Sequence, residues 1–274
     1  MSIFNYKSSE IFYQLDGNEK LPKLMILNGI MMSTKSWEPF MSTLTEHFQV
    51  LRLDFFDQGQ SSKLNFSYTQ EIQIDLIKDL LDYLKIDRIN ITGISYGGEI
   101  ALGFACKYPE RLNRIMLFNS GAYTSPWLKD IGDAWIKAGL TRDGNLYYKT
   151  TIPVIYSSTY YEERQEWMKQ REKVLVPIFS TPAFLDAMER LTRSAESFDV
   201  RDQLANIDLP VMIITANEDT LTPKKDQEYL YKNIKNSHWV IVPDVGHASM
   251  YENPVIFTSL ITGFFLIKDM VYNI

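Results

Sequence analysis

Three residues far apart in the chain, Ser95, Asp219 and His247, have the types and local settings for nucleophilic chemistry. Ser95 is the centre of Gly93-Ile94-Ser95-Tyr96-Gly97, with Gly98 next. A serine hydroxyl is a poor nucleophile until a base accepts its proton, and histidine is the usual base near neutral pH. The chain has three histidines. His47 falls at the polar end of an early helical stretch and reads as a surface residue, and His238 only opens a strand. His247 lies in Pro243-Asp244-Val245-Gly246-His247-Ala248, just past a strand. Ligand sites gather at such carboxyl ends in open α/β sheets, so His247 is the expected base. A carboxylate must then fix the imidazole tautomer and balance its cation. The apolar run Val211–Thr215 leads into Ala216-Asn217-Glu218-Asp219-Thr220, which offers two acids. Asp219 is the expected partner and Glu218 the runner-up; taken alone, an acid there would more commonly cap the helix near Pro223.

These residues need elements to hold them. The β-branched run Ile89 to Ile94 reads as a buried strand, and Gly98 to Lys107, with Ile100, Leu102, Phe104 and Ala105, reads as a helix. Between them the chain must reverse within about one residue, with Ser95 at the apex in a strained conformation and glycines where side chains would collide. The same segment with a serine that merely caps the helix is the plainer reading, and only the rest of the chain argues against it. Upstream, residues 2–15 read as two short strands with Asp16-Gly17-Asn18 as a turn. Leu24–Leu27 and Val50–Asp54 read as strands, with a helix holding Trp37, Phe40 and Leu44 between them. Ile72, Leu76, Ile77, Leu80, Leu81 and Leu84 recur at helical spacing within residues 68–86. A strand at 114–118 follows the helix that Pro109 ends. From Gly121 to Asp199 the alternation stops, and helical patterns at 127–139, 145–150, 160–175 and 182–197 are punctuated by Pro126, Pro153, Pro177 and Pro182. Alternation returns with a strand at 210–215, a helix at 223–234, a strand at 238–242 and a last helix from Pro254 to Asp269. The expected architecture is α/β: a doubly wound, mostly parallel sheet formed by 1–120 and 200–274, with a helical insertion at 121–199.

Composition narrows the function. The chain has 274 residues, 45% hydrophobic and 23% charged, which suits an ordinary globular protein of one large domain with an insertion, or of two small domains. A net charge of −6 argues against nucleic acid as a partner. The single cysteine, Cys106, gives no disulfide framework and suggests a reducing, cytoplasmic setting; its place in an apolar helix makes it a small buried hydrophobe. The start lacks a charged-then-apolar leader, and the apolar stretch 257–267 is too short to cross a bilayer, so no membrane partner is expected. Neither G-x-G-x-x-G spacing nor a Walker-type lysine occurs, and no histidine pair or Cys/His cluster suggests a metal, so no cofactor is expected.

Several motifs agree at once. Gly93-Ile-Ser95-Tyr-Gly97-Gly98 in a strand–turn–helix setting, Asp54-x-x-x-x-Gly59-x-Ser61, Leu209-Pro210 through Asp219, Gly246-His247, and the chain order Ser, Asp, His together resemble the α/β-hydrolase fold superfamily, in the branch with a helical cap. The resemblance covers essentially the whole chain. Two positions depart from the pattern: Asn28-Gly29 replaces the usual His-Gly, and Asp57 stands where the first glycine of D-x-x-G-x-G-x-S belongs. The resemblance implies a Ser95–His247–Asp219 triad and an oxyanion hole formed by the backbone N–H groups of Ile30 and Tyr96. It places Gly29, Met31, Met32 and Trp37 beside the site, as acyl-pocket or core residues. It also implies that 121–199 folds over the triad. The aromatic residues of that insertion suit its own small core or an apolar pocket, and its 10 basic and 11 acidic residues give no single-sign field.

The expected activity is serine-dependent hydrolysis of a small apolar carboxylic ester through an acyl-enzyme, the partner being a small acyl substrate. An enol-lactone, a thioester or a vinylogous diketone cleaved at carbon–carbon would use the same triad, and fold alone does not choose between them. The third reading is a non-catalytic sensor or partner-binding protein that keeps the triad.

Overall fold

The computed structural model describes residues 2–267. Eight strands form one sheet: β1 (Ser2–Tyr6), β2 (Ser9–Asp16), β3 (Lys23–Leu27), β4 (Gln49–Leu53), β5 (Ile89–Ile94), β6 (Leu112–Phe118), β7 (Val211–Ala216) and β8 (Ser237–Val242), in the spatial order β1-β2-β4-β3-β5-β6-β7-β8. The β1–β2 hairpin turns on Lys7 and Ser8, both with positive φ, as a two-residue turn of the primed kind needs. β2 pairs antiparallel with β4, and all pairings from β4 to β8 are parallel. The parallel strands are nearly continuous apolar runs because helices cover the sheet: every residue of β5 is buried.

The connecting helices are α1 (Glu38–Thr45), α2 (Glu71–Tyr83), α3 (Tyr96–Lys107), α9 (Lys224–Asn233), the short α10 (Ser249–Glu252) and α11 (Pro254–Leu266). The last helix was expected to reach Asp269; Lys268 and Asp269 lie outside the described residues. On α2, Ile74, Leu76, Ile77, Leu80 and Leu81 are buried, each contributing about 1.5–3 kcal/mol by leaving water. None of the helices is long and apolar enough to cross a membrane, among the described residues.

Strand order fixes where a site can form. From β3 the chain steps outward to β4, whereas from β5 it steps the other way to β6. The carboxyl ends of the neighbours β3 and β5 therefore form the topological switch point, where a crevice opens. The loop starting at Asn28 leaves β3 there, and Ser95 leaves β5 beside it.

Between β6 and β7 lie five further helices, α4 (Pro126–Leu140), α5 (Gly144–Thr151), α6 (Ser158–Glu163), α7 (Gln165–Phe179) and α8 (Pro182–Ala195). The two passages into this insertion pair with each other: Tyr123 and Asp199 form a bridge, Thr124 N donates to Phe198 O at 3.0 Å, and Val200 N donates to Ala122 O at 2.9 Å. Three of the helices begin on side-chain caps, Ser125 for α4, Asp143 for α5 and Ser157 for α6. The stretch expected as one helix over 160–175 is two, broken at Arg164 (φ −110°, ψ 31°). Pro177 does not end α7 but sits in its last turn, where a missing N–H costs only one of the final helical bonds. Tyr147, Phe179 and Phe184 pack edge-on and stacked at 4.8–6.1 Å, giving the insertion its own aromatic core.

Candidate active site

Ser95 has φ 54° and ψ −122°, a region that non-glycine residues avoid at about 1–3 kcal/mol. The surroundings enforce it. Ser95 N donates to Phe118 O at 2.9 Å on β6, while Ser95 O accepts from Gly98 N and Glu99 N as α3 begins. A Cβ at position 93 would lie 2.2 Å from Gly97 O, and one at 97 would lie 2.5 Å from Leu27 O. The turn can close only with glycine at both places.

His247 follows β8 in a loop held on three sides. Asn119 Nδ2 donates to His247 O at 2.8 Å, Glu218 N to Val245 O at 2.9 Å, and Ala248 N to Ile155 O of the insertion at 2.9 Å. His247 is 7% exposed, and its Nδ1 lies 2.7 Å from Asp219 Oδ2. With Nδ1–H donating to the carboxylate, the neutral ring keeps its Nε2 lone pair as the free acceptor. Asp219 is itself fixed: Oδ1 accepts from Leu221 N and Thr222 N, and Oδ2 also accepts from Thr222 Oγ1 at 2.8 Å. Glu218 is half-buried, and its carboxylate has no hydrogen bond among the described residues. His47 and His238 lie elsewhere, at the end of α1 and exposed on β8.

Ser95 and His247 open onto one cavity of about 140 Å³ between the sheet and the insertion. Gly29, Ile30, Met31 and Tyr96 line it too. The N–H groups of Ile30 and Tyr96 have no protein acceptor among the described residues, so both remain available to a ligand oxygen. Of the two roles expected for Trp37, acyl pocket or core, it has the second: it does not line the cavity, so it is no substrate-binding residue. It is 1% exposed, and its Nε1 donates to Asn28 Oδ1 at 2.7 Å. Asn28 Nδ2 in turn donates to Leu53 O and to Gln58 Oε1, and Gln58 Nε2 donates to Gly29 O at 2.9 Å. Trp37 therefore acts on the loop that carries Ile30, from behind.

Other partners carry no pattern in the sequence. Glu252 Oε2 accepts from Ser157 Oγ at 2.6 Å and Gly246 N at 3.1 Å, tying the insertion to the His247 loop. Asp57, with φ 68°, pairs through both oxygens with Arg190 of α8 at 2.6 and 3.0 Å. Tyr68 OH also donates to Asp57, at 2.8 Å. The departure at position 57 is thus a buried carboxylate whose ion pair with the half-buried Arg190 joins the sheet domain to the insertion. On the cavity wall, one helical turn past Ser95, Glu99 is pushed up to about 8 by burial, with Asp226 adding to the effect. No cluster of three or more potential metal ligands occurs among the described residues.

Comparison with known proteins adds a second line. A family model described as alpha/beta hydrolase fold matches residues 22–254. The chain is 26% identical to 3-oxoadipate enol-lactonase 1 of Acinetobacter baylyi over 262 residues, 96% of this chain and 95% of the relative. Among solved structures it is 50% identical to an alpha/beta hydrolase enzyme from a Medee basin deep-sea metagenome library, with TM-score 0.97 and both chains covered completely. An enol-lactonase from Burkholderia xenovorans, 23% identical, superposes with TM-score 0.83 over 97% of this chain and 100% of its own.

Proposed function

The chain belongs to the alpha/beta hydrolase fold family, and on that premise we propose that it is a serine hydrolase that cleaves small carboxylic esters through an acyl-enzyme. The observation that carries this reading is the Asp219–His247 contact of 2.7 Å beside a cavity that His247 shares with Ser95. His247 Nε2 takes the Ser95 proton as the hydroxyl attacks the acyl carbon, and Asp219 stabilises the imidazolium. The N–H groups of Ile30 and Tyr96 hold the oxyanion, each worth about 3–4 kcal/mol to the transition state. His247 then protonates the leaving group, and water repeats the cycle on the Ser95 ester. A cavity of about 140 Å³ resembles in size one that takes benzene, so the acyl group is short. The cap over 121–199 and a cytoplasmic setting belong to the same proposal.

The test is hydrolysis of 4-nitrophenyl esters from acetate to octanoate by wild type and Ser95→Ala. Turnover that favours acetate or butyrate and vanishes in the variant supports the reading, and equal activity in the two proteins overturns it. A second reading, an enol-lactone as substrate, draws support from the Acinetobacter baylyi relative, which aligns over nearly the whole chain. Faster turnover of enol-lactones than of open-chain esters would favour it.

A further inference from the structure

Arg171 of α7 lies on the wall of the same cavity as Ser95 and His247. Its guanidinium is enclosed by three rings from three segments: Tyr251 at 5.0 Å, Trp167 at 5.2 Å and Tyr156 at 5.9 Å to their centroids. Rings satisfy the faces of a guanidinium, but its N–H groups point outward in the plane and need acceptors. Among the described residues Arg171 has no ion-pair partner, and its Nε is buried without a hydrogen bond. The contrast with Arg190, which meets Asp57 through two bonds, is direct. The nearby carboxylate of Glu252 is already taken by Ser157 and Gly246. Arg171 is half-buried, its fork has no protein acceptor among the described residues, and a planar anion in the cavity is the group that fork fits best. Of the two acids that line the cavity, Glu196 is exposed and paired with Arg193, and Glu99 is held neutral at pH 7 by burial, so neither sets a buried negative charge against such an anion.

We propose that Arg171 is a specificity-determining residue that binds a carboxylate on the acyl part of the substrate, so that the natural substrates are monoesters, or lactones, of dicarboxylic acids. This rests on the serine-hydrolase reading for its chemistry but not for its binding.

The test compares monomethyl glutarate with methyl 5-methylhexanoate, in which an isopropyl group replaces the carboxylate. In wild type, kcat/KM favours the anionic ester; in Arg171→Met that preference ratio falls by about tenfold to a hundredfold, the range of a charge-assisted hydrogen bond. Arg171→Lys, which keeps the charge but not the fork, recovers part of it. A cap merely loosened by the substitution would lower both rates and leave the ratio alone, which overturns the proposal. Calorimetric binding of both esters to Ser95→Ala separates the two readings. If wild type turns over neither ester, the hydrolase reading fails alone. Tighter binding of monomethyl glutarate that is lost in Ser95→Ala/Arg171→Met still upholds the carboxylate site, and equal binding of the two esters overturns it.

Discussion

Replacing Glu99 by Gln should remove the loss of stability that this carboxyl causes as pH rises from 4.5 to about 8. Glu99 is 4% exposed, and its carboxyl is raised from 4.5 to about 8 chiefly by burial, with Gln70 opposing and Asp226 adding to the rise. The native state therefore holds this proton up to about pH 8, whereas the unfolded chain releases it near 4.5. Below that window both states are protonated and Glu99 adds no pH dependence. Within it unfolding releases a proton, so stability falls as pH rises, by roughly 1.4 kcal/mol per pH unit. Above it both states are ionised and the full penalty, about 4–5 kcal/mol as an upper limit, persists. A glutamine keeps the shape and stays neutral, and its amide can donate to Gln70 Oε1, which is buried without a partner. Urea unfolding at pH 5, 7 and 8.5 should thus show the variant close to wild type at pH 5 and several kcal/mol more stable at pH 8.5, with unchanged m-value. A difference between the two proteins that changes by less than about 1 kcal/mol over this range would refute the buried, neutral state of Glu99.

Two further outcomes test the site and its frame. Asp219→Asn should lower kcat by about three to four orders of magnitude by offering the imidazole a donor where it needs an acceptor, while Glu218→Gln should change little; the reverse result would move the acid to Glu218. Arg190→Met should cost about 2–3 kcal/mol of stability, because Asp57 is fully buried and only one side of the pair reaches solvent. A double-mutant cycle with Asp57→Asn should return a coupling well above the roughly 1 kcal/mol limit of surface pairs, and a value near zero would show that the two residues do not hold the insertion down.

The architecture was legible because parallel strands announce themselves as short, mostly apolar runs and α2 as a helical stripe. The tight turn at Ser95 was legible for a steric reason: only glycines at 93 and 97 leave room for the carbonyls that cross there. What stayed hidden depends on polar partners distant in sequence. Trp37 next to the Asn28 loop could face the cavity or its back. The indole bond to Asn28, which Gln58 completes from 30 residues away, decides for the back. Glu252 meets Ser157 across 95 residues, with no spacing to betray it. The rings around Arg171 come from the segment before α6, from α7 and from α10, so composition revealed the aromatics but not their common focus. Asp57 was visible only as a departure from a pattern, and its meaning needed Arg190, 133 residues later.

The paired passages at 122–124 and 198–200 give the five-helix insertion a single stem. Its two ends meet at a fixed separation whatever lies between them, and closing such a loop costs only about 0.6 kcal/mol more for each doubling of its length. The stem therefore places little demand on the length of what grows from it, while Arg190 and Ser157 tie the sequence of the insertion back to Asp57 and Glu252. Length can be added to or removed from the insertion, by descent or by design, while the turn at Ser95 and the strands beneath it keep their geometry.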